Sequence, residues 1–187
     1  MTAQDGTQAD DRTVELRHTA ELDGATRRAL RALLADAFDG DFSDEDWEHA
    51  VGGVHVLVRV DGRIVGHAAV VQRRLLHGGR ALRAGYVEGV AVAADQRGRG
   101  IGAALMGRAE DVVRAAYDLG ALSAAPTAKA FYAARGWRPW RGTTGVLGRH
   151  GVTPTPEDDD GLHVLAVAEL LDLQGELACD PRPGDAW

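Results

Sequence analysis

Tyr86-Val87-Glu88-Gly89-Val90-Ala91-Val92, followed after three residues by Gln96-Arg97-Gly98-Arg99-Gly100-Ile101-Gly102, decides how the rest of this 187-residue chain is read. The first stretch is apolar apart from one acid and reads as a strand. The second carries three glycines and two arginines and opens into a helical pattern. Ile101, Ala104, Leu105, Ala109, Val112, Val113, Ala116 and Tyr117 recur at the i, i+3, i+4 spacing of a helix with one apolar face. A strand, a glycine turn and a helix start together make an anion site. The first N–H groups of the helix have no internal partner, its dipole adds partial positive charge, and glycines let a pyrophosphate approach the backbone.

Outward from this segment the chain punctuates itself clearly. Val54 to Val60 reads as a strand, Asp61-Gly62 as a hairpin turn and Ile64 to Arg74 as the returning strand. His77-Gly78-Gly79 turns into a third strand, Leu82 to Val92, which completes an antiparallel meander. A dinucleotide-binding βαβ unit would place its glycines after a first parallel strand, and Gly-Lys-Ser/Thr is absent. What remains is a coenzyme with a pyrophosphate, held beside a mostly antiparallel sheet. Upstream, Val14 to His18 is a strand, Asp23 caps a helix to about Phe38, and Ser43 with Asp46 opens a second helix through Trp47. Downstream, Gly120 reads as the stop of the long helix. Ala121 to Ser123 is a short strand, and Ala128 to Arg135 is a helix started by Pro126 and stopped by Gly136. Trp137 to Val146 reads as a strand or ribbon, Val152 to Gly161 as a loop, Leu162 to Val167 as a strand and Asp172 to Trp187 as an irregular tail. Residues 1–12 read as a polar tail and 13–187 as a single domain, with Ile64 to Val71 as a candidate sheet edge for dimerisation.

With 45% hydrophobic and 26% charged residues the chain is globular in balance. Its net charge of −7 disfavours nucleic acid and anionic membranes and favours a cationic partner. One cysteine, Cys179, leaves no internal disulfide, and seven histidines show no metal-ligand spacing, so no metal is expected. No signal segment or long apolar run is visible, which points to the cytoplasm.

The chain resembles the GNAT superfamily of N-acetyltransferases. The pyrophosphate pattern Arg/Gln-x-x-Gly-x-Gly/Ala is matched by Arg97, Gly100 and Gly102, and a second signature by Phe131-Tyr132-Ala133-Ala134-Arg135-Gly136-Trp137. The resemblance implies an α/β (α+β) fold: a central, mostly antiparallel mixed sheet with a splayed strand pair and flanking helices. It extends to the aminoglycoside 2′-N-acetyltransferases of actinobacteria through Gly40-Asp41-Phe42, Asp46-Trp47-Glu48-His49, Gly85 to Val92, the acidic Thr155-Pro156 loop and the closing Gly184-Asp185-Ala186-Trp187. It implies acetyl-CoA as cosubstrate, held by Val90, Ala91, Val92, Arg97, Gly98, Arg99, Gly100, Ile101 and Gly102. It implies a polycationic aminoglycoside as acceptor, contacted by Asp41, Asp46, Glu88, Gly89, Ser123, Glu157, Asp158, Asp185 and the carboxylate end of Trp187, with Asp159 and Asp160 as alternatives in the acidic run. It also implies Glu88 as base, Tyr132 as acid, drug resistance as outcome and a homodimer as assembly.

The residues themselves support part of this chemistry. Acetyl transfer needs a neutral amine, hence a general base, and Glu88 is the lone acid in its apolar strand. A glycine inside a strand marks a bulge or a close approach, so Gly89 predicts a splay that frees an N–H, that of Val90, for the thioester oxygen. Tyr132 has the phenol a departing thiolate needs; by its helical spacing alone a core aromatic is the better reading, and only the resemblance reverses that. Cys179 reads as a packed thiol, and the Trp187 indole as a flat face for a sugar ring. Acid runs are ordinarily solvated surface, yet several ammonium groups on one acceptor call for several carboxylates around a cleft. Acetylation of another cellular amine, or non-catalytic binding of coenzyme or drug, are the competing readings.

Overall fold

The computed structural model describes residues 12–167 and 171–187. The expected tail lies outside the described residues except for Arg12, which begins the first strand. In chain order the elements are β1 (Arg12–His18), α1 (Gly24–Ala37), α2 (Asp44–Ala50), β2 (Val54–Val60), β3 (Arg63–His77), β4 (Arg80–Val92), α3 (Ile101–Ala116), β5 (Leu119–Ser123), α4 (Lys129–Ala134), β6 (Arg138–Pro139), β7 (Thr144–Gly148), β8 (Gly151–Pro154), β9 (Leu162–Ala166) and β10 (Leu177–Cys179). The described strands form one mixed sheet, ordered β6-β9-β5-β4-β3-β10-β7-β8, with β2 and then β1 branching from β3. It is the α/β arrangement expected: the β2-β3-β4 meander is antiparallel, and β4 meets β5 in parallel.

The two faces of the sheet are covered differently, and alternation along the strands decides which side chains go where. Helix α3 lies on one face against the glycines at 66, 85 and 120. A Cβ at Gly66 would sit 2.8 Å from Ile101, one at Gly85 2.7 Å from Tyr117, and one at Gly120 2.8 Å from Trp137. Gly120 is therefore a strand residue that admits the Trp137 ring and Val113, and the helix stops earlier, at Ala116. The other face carries His67, Val71, Arg73 and Tyr86. It is covered by α1, α2 and the C-terminal segment.

Four further expectations change, the first being the loop expected from Val152, which begins as strand β8 paired antiparallel with β7. The β3 strand is no edge: β4 lies along one side, and β2 and then β10 along the other. The ribbon expected over Trp137 to Val146 is two separate strands, β6 and β7, because Trp140 turns inward to donate its indole N–H to the Gly175 carbonyl. The supposed irregular tail contains β10, which fills the gap between β3 and β7. Cys179 in it is buried and free, as expected of a packed thiol.

Helix α4 is fastened to α3 by the buried Glu110. Its carboxylate accepts from Arg135 Nε and Nη2 at 2.7 and 3.0 Å and from the Trp137 indole at 3.0 Å. This clamp sets where Tyr132, on α4, stands. Glu110→Gln keeps the shape but removes the charge opposite Arg135. A charge-assisted hydrogen bond contributes about 2 kcal/mol, and denaturant unfolding should show a loss of about that size.

Candidate active site

The centre of the site is a fork between β4 and β5. The two strands pair only from Ala84–Leu119 to Tyr86–Ala121. Beyond Tyr86, residues 87–92 leave β5 behind while β3 stays with them. The cause is the bulge that Gly89 predicted. On one side Ala69 faces Glu88, and on the other His67 faces Ala91, so Gly89 and Val90 together oppose Ala68. Gly89 has φ +56°, a left-handed backbone that a side chain rarely adopts.

A cleft of about 340 Å³ opens at this fork. It gathers Asp41, Asp46, Glu88, Gly89, Val90, Ser123, Tyr132 and Asp185, with Phe38 and Phe42 as apolar wall. Five chain segments thus deliver eight of the predicted residues to one cavity. Asp46 spends one oxygen on its own helix, accepting at 2.8 Å from both the Ser43 N–H and its hydroxyl in the expected capping box. Tyr132 is buried, and that burial raises its phenol to about 12, so it is protonated at neutral pH and able to donate. Glu157 and Asp158 stand outside this lining. Burial pushes the Asp158 carboxyl upward, and the charges of Glu157, Asp185 and Asp159 push it the same way. Asp159 is committed elsewhere: it accepts from the Thr144 N–H and hydroxyl at 2.8 Å and secures β7.

Next to the cleft, the turn before α3 has the backbone an anionic coenzyme needs. Gly98 and Gly100 have φ +76° and +77°, and a Cβ on either would meet nothing within 4 Å. No side chain caps the start of α3. Its first N–H groups therefore face outward, flanked by the exposed Arg97 and Arg99. Val92, half-buried, lies beside Gly102. The turn thus offers unpartnered N–H groups and two guanidinium groups of the kind an anion takes, and residues 90–92 keep a strand side that β5 does not pair.

Sequence reading missed the C-terminal strap that closes the cleft. Arg182 forms an ion pair with Glu88, both side chains being mostly buried, and donates to the Asp185 carbonyl at 2.7 Å. Arg73 holds the same strap from β3, donating to Asp180 Oδ1 at 2.9 Å, the Asp180 carbonyl at 2.7 Å and the Ala186 carbonyl at 2.6 Å. His49 on α2 donates to the Pro183 carbonyl at 2.7 Å. The Trp187 indole is no open platform: it is buried, donates to Thr155 Oγ1 at 3.1 Å and faces Arg73. It anchors the strap that presents Asp185. No spacing rule marks Arg73 or Arg182, since each finds its partner about a hundred residues away.

The fork, the glycine turn at a helix start and the acid-lined cleft define an acyltransferase site. The chain belongs to the GNAT acetyltransferase family, whose domain model it matches over residues 20–140. It is 54% identical over 179 residues to the aminoglycoside 2′-N-acetyltransferase of Mycolicibacterium fortuitum, covering 94% of this chain and 92% of that protein. Among solved structures it is similar to the GNAT family N-acetyltransferase YhbS from Escherichia coli in complex with CoA. The TM-score is 0.66 at 16% identity, covering 91% and 90% of the two chains. A GNAT family acetyltransferase from Brucella melitensis in complex with acetyl-CoA gives 0.60 at 19% identity, covering 89% and 95%. These two likenesses bear on the fold. Among the described residues no helix is long and apolar enough to cross a membrane.

Proposed function

We propose that this chain transfers the acetyl group of acetyl-CoA to the 2′-amine of aminoglycosides and thereby protects a cell against them. The observation that carries the reading is the cleft at the β4–β5 fork, bearing Asp41, Asp46, Glu88 and Asp185, beside the strand side of residues 90–92 that β5 leaves unpaired. Carboxylates on several walls suit an acceptor with several ammonium groups, and the 54% identical relative is named for that reaction. The glycine turn and α3 N–H groups hold the pyrophosphate, and the backbone of Val90 to Val92 holds the pantetheine. Glu88, directly or through a water, takes a proton from the acceptor ammonium. The freed nitrogen then bonds to the acetyl carbonyl carbon as the carbon–sulfur bond breaks. The Val90 N–H faces the carbonyl oxygen as charge grows on it; Tyr132 gives its proton to the departing thiolate and takes back the second proton, which the new amide nitrogen sheds. A cytoplasmic homodimer belongs to the same reading and is supported by the family resemblance.

A thiol-release assay tests this. Release from acetyl-CoA is expected with an aminoglycoside carrying a 2′-amine and not with its 2′-hydroxyl analogue. Equal release with both would move the reaction to another amine, and tight binding without release would make the protein a binder rather than an enzyme.

A further inference from the structure

Behind the bulge runs a buried polar chain that the transfer chemistry leaves unused. His67 Nδ1 lies 2.7 Å from the Gly89 carbonyl oxygen, and His67 Nε2 lies 2.9 Å from His55 Nδ1. His55 Nε2 lies 2.8 Å from Thr19 Oγ1, and the Gly52 N–H donates to that oxygen at 2.9 Å. The two histidines are diagonal neighbours on one face of the β2–β3 hairpin, with Leu57 opposite His67 and His55 opposite Ala69. Both are fully buried.

We propose that His67 is a positioning residue for acetyl transfer: backed by His55 and Thr19, it holds the Gly89 carbonyl and so fixes the direction of the Val90 N–H at the cleft. The proton order follows from the ends of the chain. The Gly89 carbonyl can only accept, so His67 Nδ1 carries the hydrogen. The bare His67 Nε2 then accepts from His55 Nδ1–H, and His55 Nε2 takes the hydrogen of the Thr19 hydroxyl in preference to the Gly53 carbonyl, which lies farther off at 3.2 Å and already accepts from the Thr19 N–H. Every atom is satisfied with both rings neutral. Burial keeps them neutral, lowering His67 to about 4. It lowers His55 to about 3, where a proton would also be repelled by one on His67 or His18 and by the Arg27 guanidinium. A trans peptide is planar with its C=O and N–H pointing opposite ways. Anchoring the Gly89 oxygen on His67 therefore turns the Val90 N–H away from the chain, and Val90 lines the cleft. The ring is packed against the bulge: a Cβ at Gly89 would lie 3.4 Å from it and 3.2 Å from Leu34. An apolar filler would support the bulge sterically but leave this peptide free to rotate.

The inference rests on the acetyl-transfer reading, and its test separates the two. His67→Phe fills the space without a donor, whereas His67→Asn places an amide N–H close to where Nδ1 stood. Removing a donor aimed at the developing oxyanion costs about 100-fold or more, and loosening it costs part of that. The expected result for His67→Phe is a kcat about 10- to 100-fold lower, with KM for acetyl-CoA and for the amine held within about twofold. His67→Asn should recover most of that loss. Unchanged kcat in His67→Phe, or equal loss in both variants, would overturn the proposal while wild-type turnover left the function reading standing. A second measurement needs no variant. Nitrogen-15 imidazole spectra of the intact protein should show both rings protonated at Nδ1 and bare at Nε2. A hydrogen on His67 Nε2 would reverse the chain and sink the proposal, whatever the outcome with substrates.

Discussion

Glu88→Gln is expected to lower kcat/KM for the 2′-amine by about 100-fold near pH 6 while leaving KM for acetyl-CoA unchanged. General bases contribute about 100- to 10,000-fold, and the neutral isostere keeps the volume of the side chain in the cleft. The deficit should narrow as pH rises, because a growing share of the amine then arrives without its proton and the base has less to do. A rate ratio that stays flat with pH would remove Glu88 from proton transfer. The ion pair with Arg182 sharpens the expectation. In Glu88→Gln that guanidinium stays mostly buried and keeps its bond to the Asp185 carbonyl but loses its anion, so unfolding should be followed alongside activity. Arg182→Met is the control. It removes the same ion pair yet spares the carboxylate, so its kcat should fall far less. Equal losses in the two variants would assign the effect to the pair rather than to the base.

What could be read in advance was what local physics writes into neighbouring residues. The meander follows from alternation and the Asp61-Gly62 turn, the α3 face from its spacing, and the bulge from one glycine inside an apolar strand. The cleft acids came from resemblance more than from pattern, since no spacing rule joins Asp41 to Asp185. The strap was illegible because Leu177-Ala178-Cys179 is too short to announce a strand. It becomes one by pairing with Leu75 to His77 and with Thr144 to Val146. Gly120 misled because glycine after a helix is ordinarily a stop, whereas here it makes room for the Trp137 ring. The histidine chain was within reach. Once the hairpin strands are set, His55 and His67 share a face by parity, and two buried imidazoles at diagonal positions invite a hydrogen bond.

Arg73→Met should be the most damaging change away from the reacting atoms. The guanidinium is buried, makes three hydrogen bonds to the strap and lies over the rings of Tyr86 and Trp187 at 5.1 and 5.9 Å. Truncating one side of a buried charge pair costs about 3–5 kcal/mol. Asp180 remains partly exposed, and water can reclaim its carboxylate, so about 3 kcal/mol is expected. In a chain of this size that lowers Tm by roughly 6–12 °C. Lysine should not rescue it, because a point ammonium cannot reproduce a planar fork that reaches Asp180 and Ala186 together. The kinetic signature is more telling than the stability loss. Asp185 is presented by the strap and the glycine turn is not, so KM for the amine should rise several-fold while KM for acetyl-CoA stays constant. A variant that lost stability but kept both constants would leave Arg73 a fold residue and take the strap out of acceptor binding. Selective loss of amine affinity would show that β3, through one arginine, builds the acceptor half of the cleft independently of the coenzyme half.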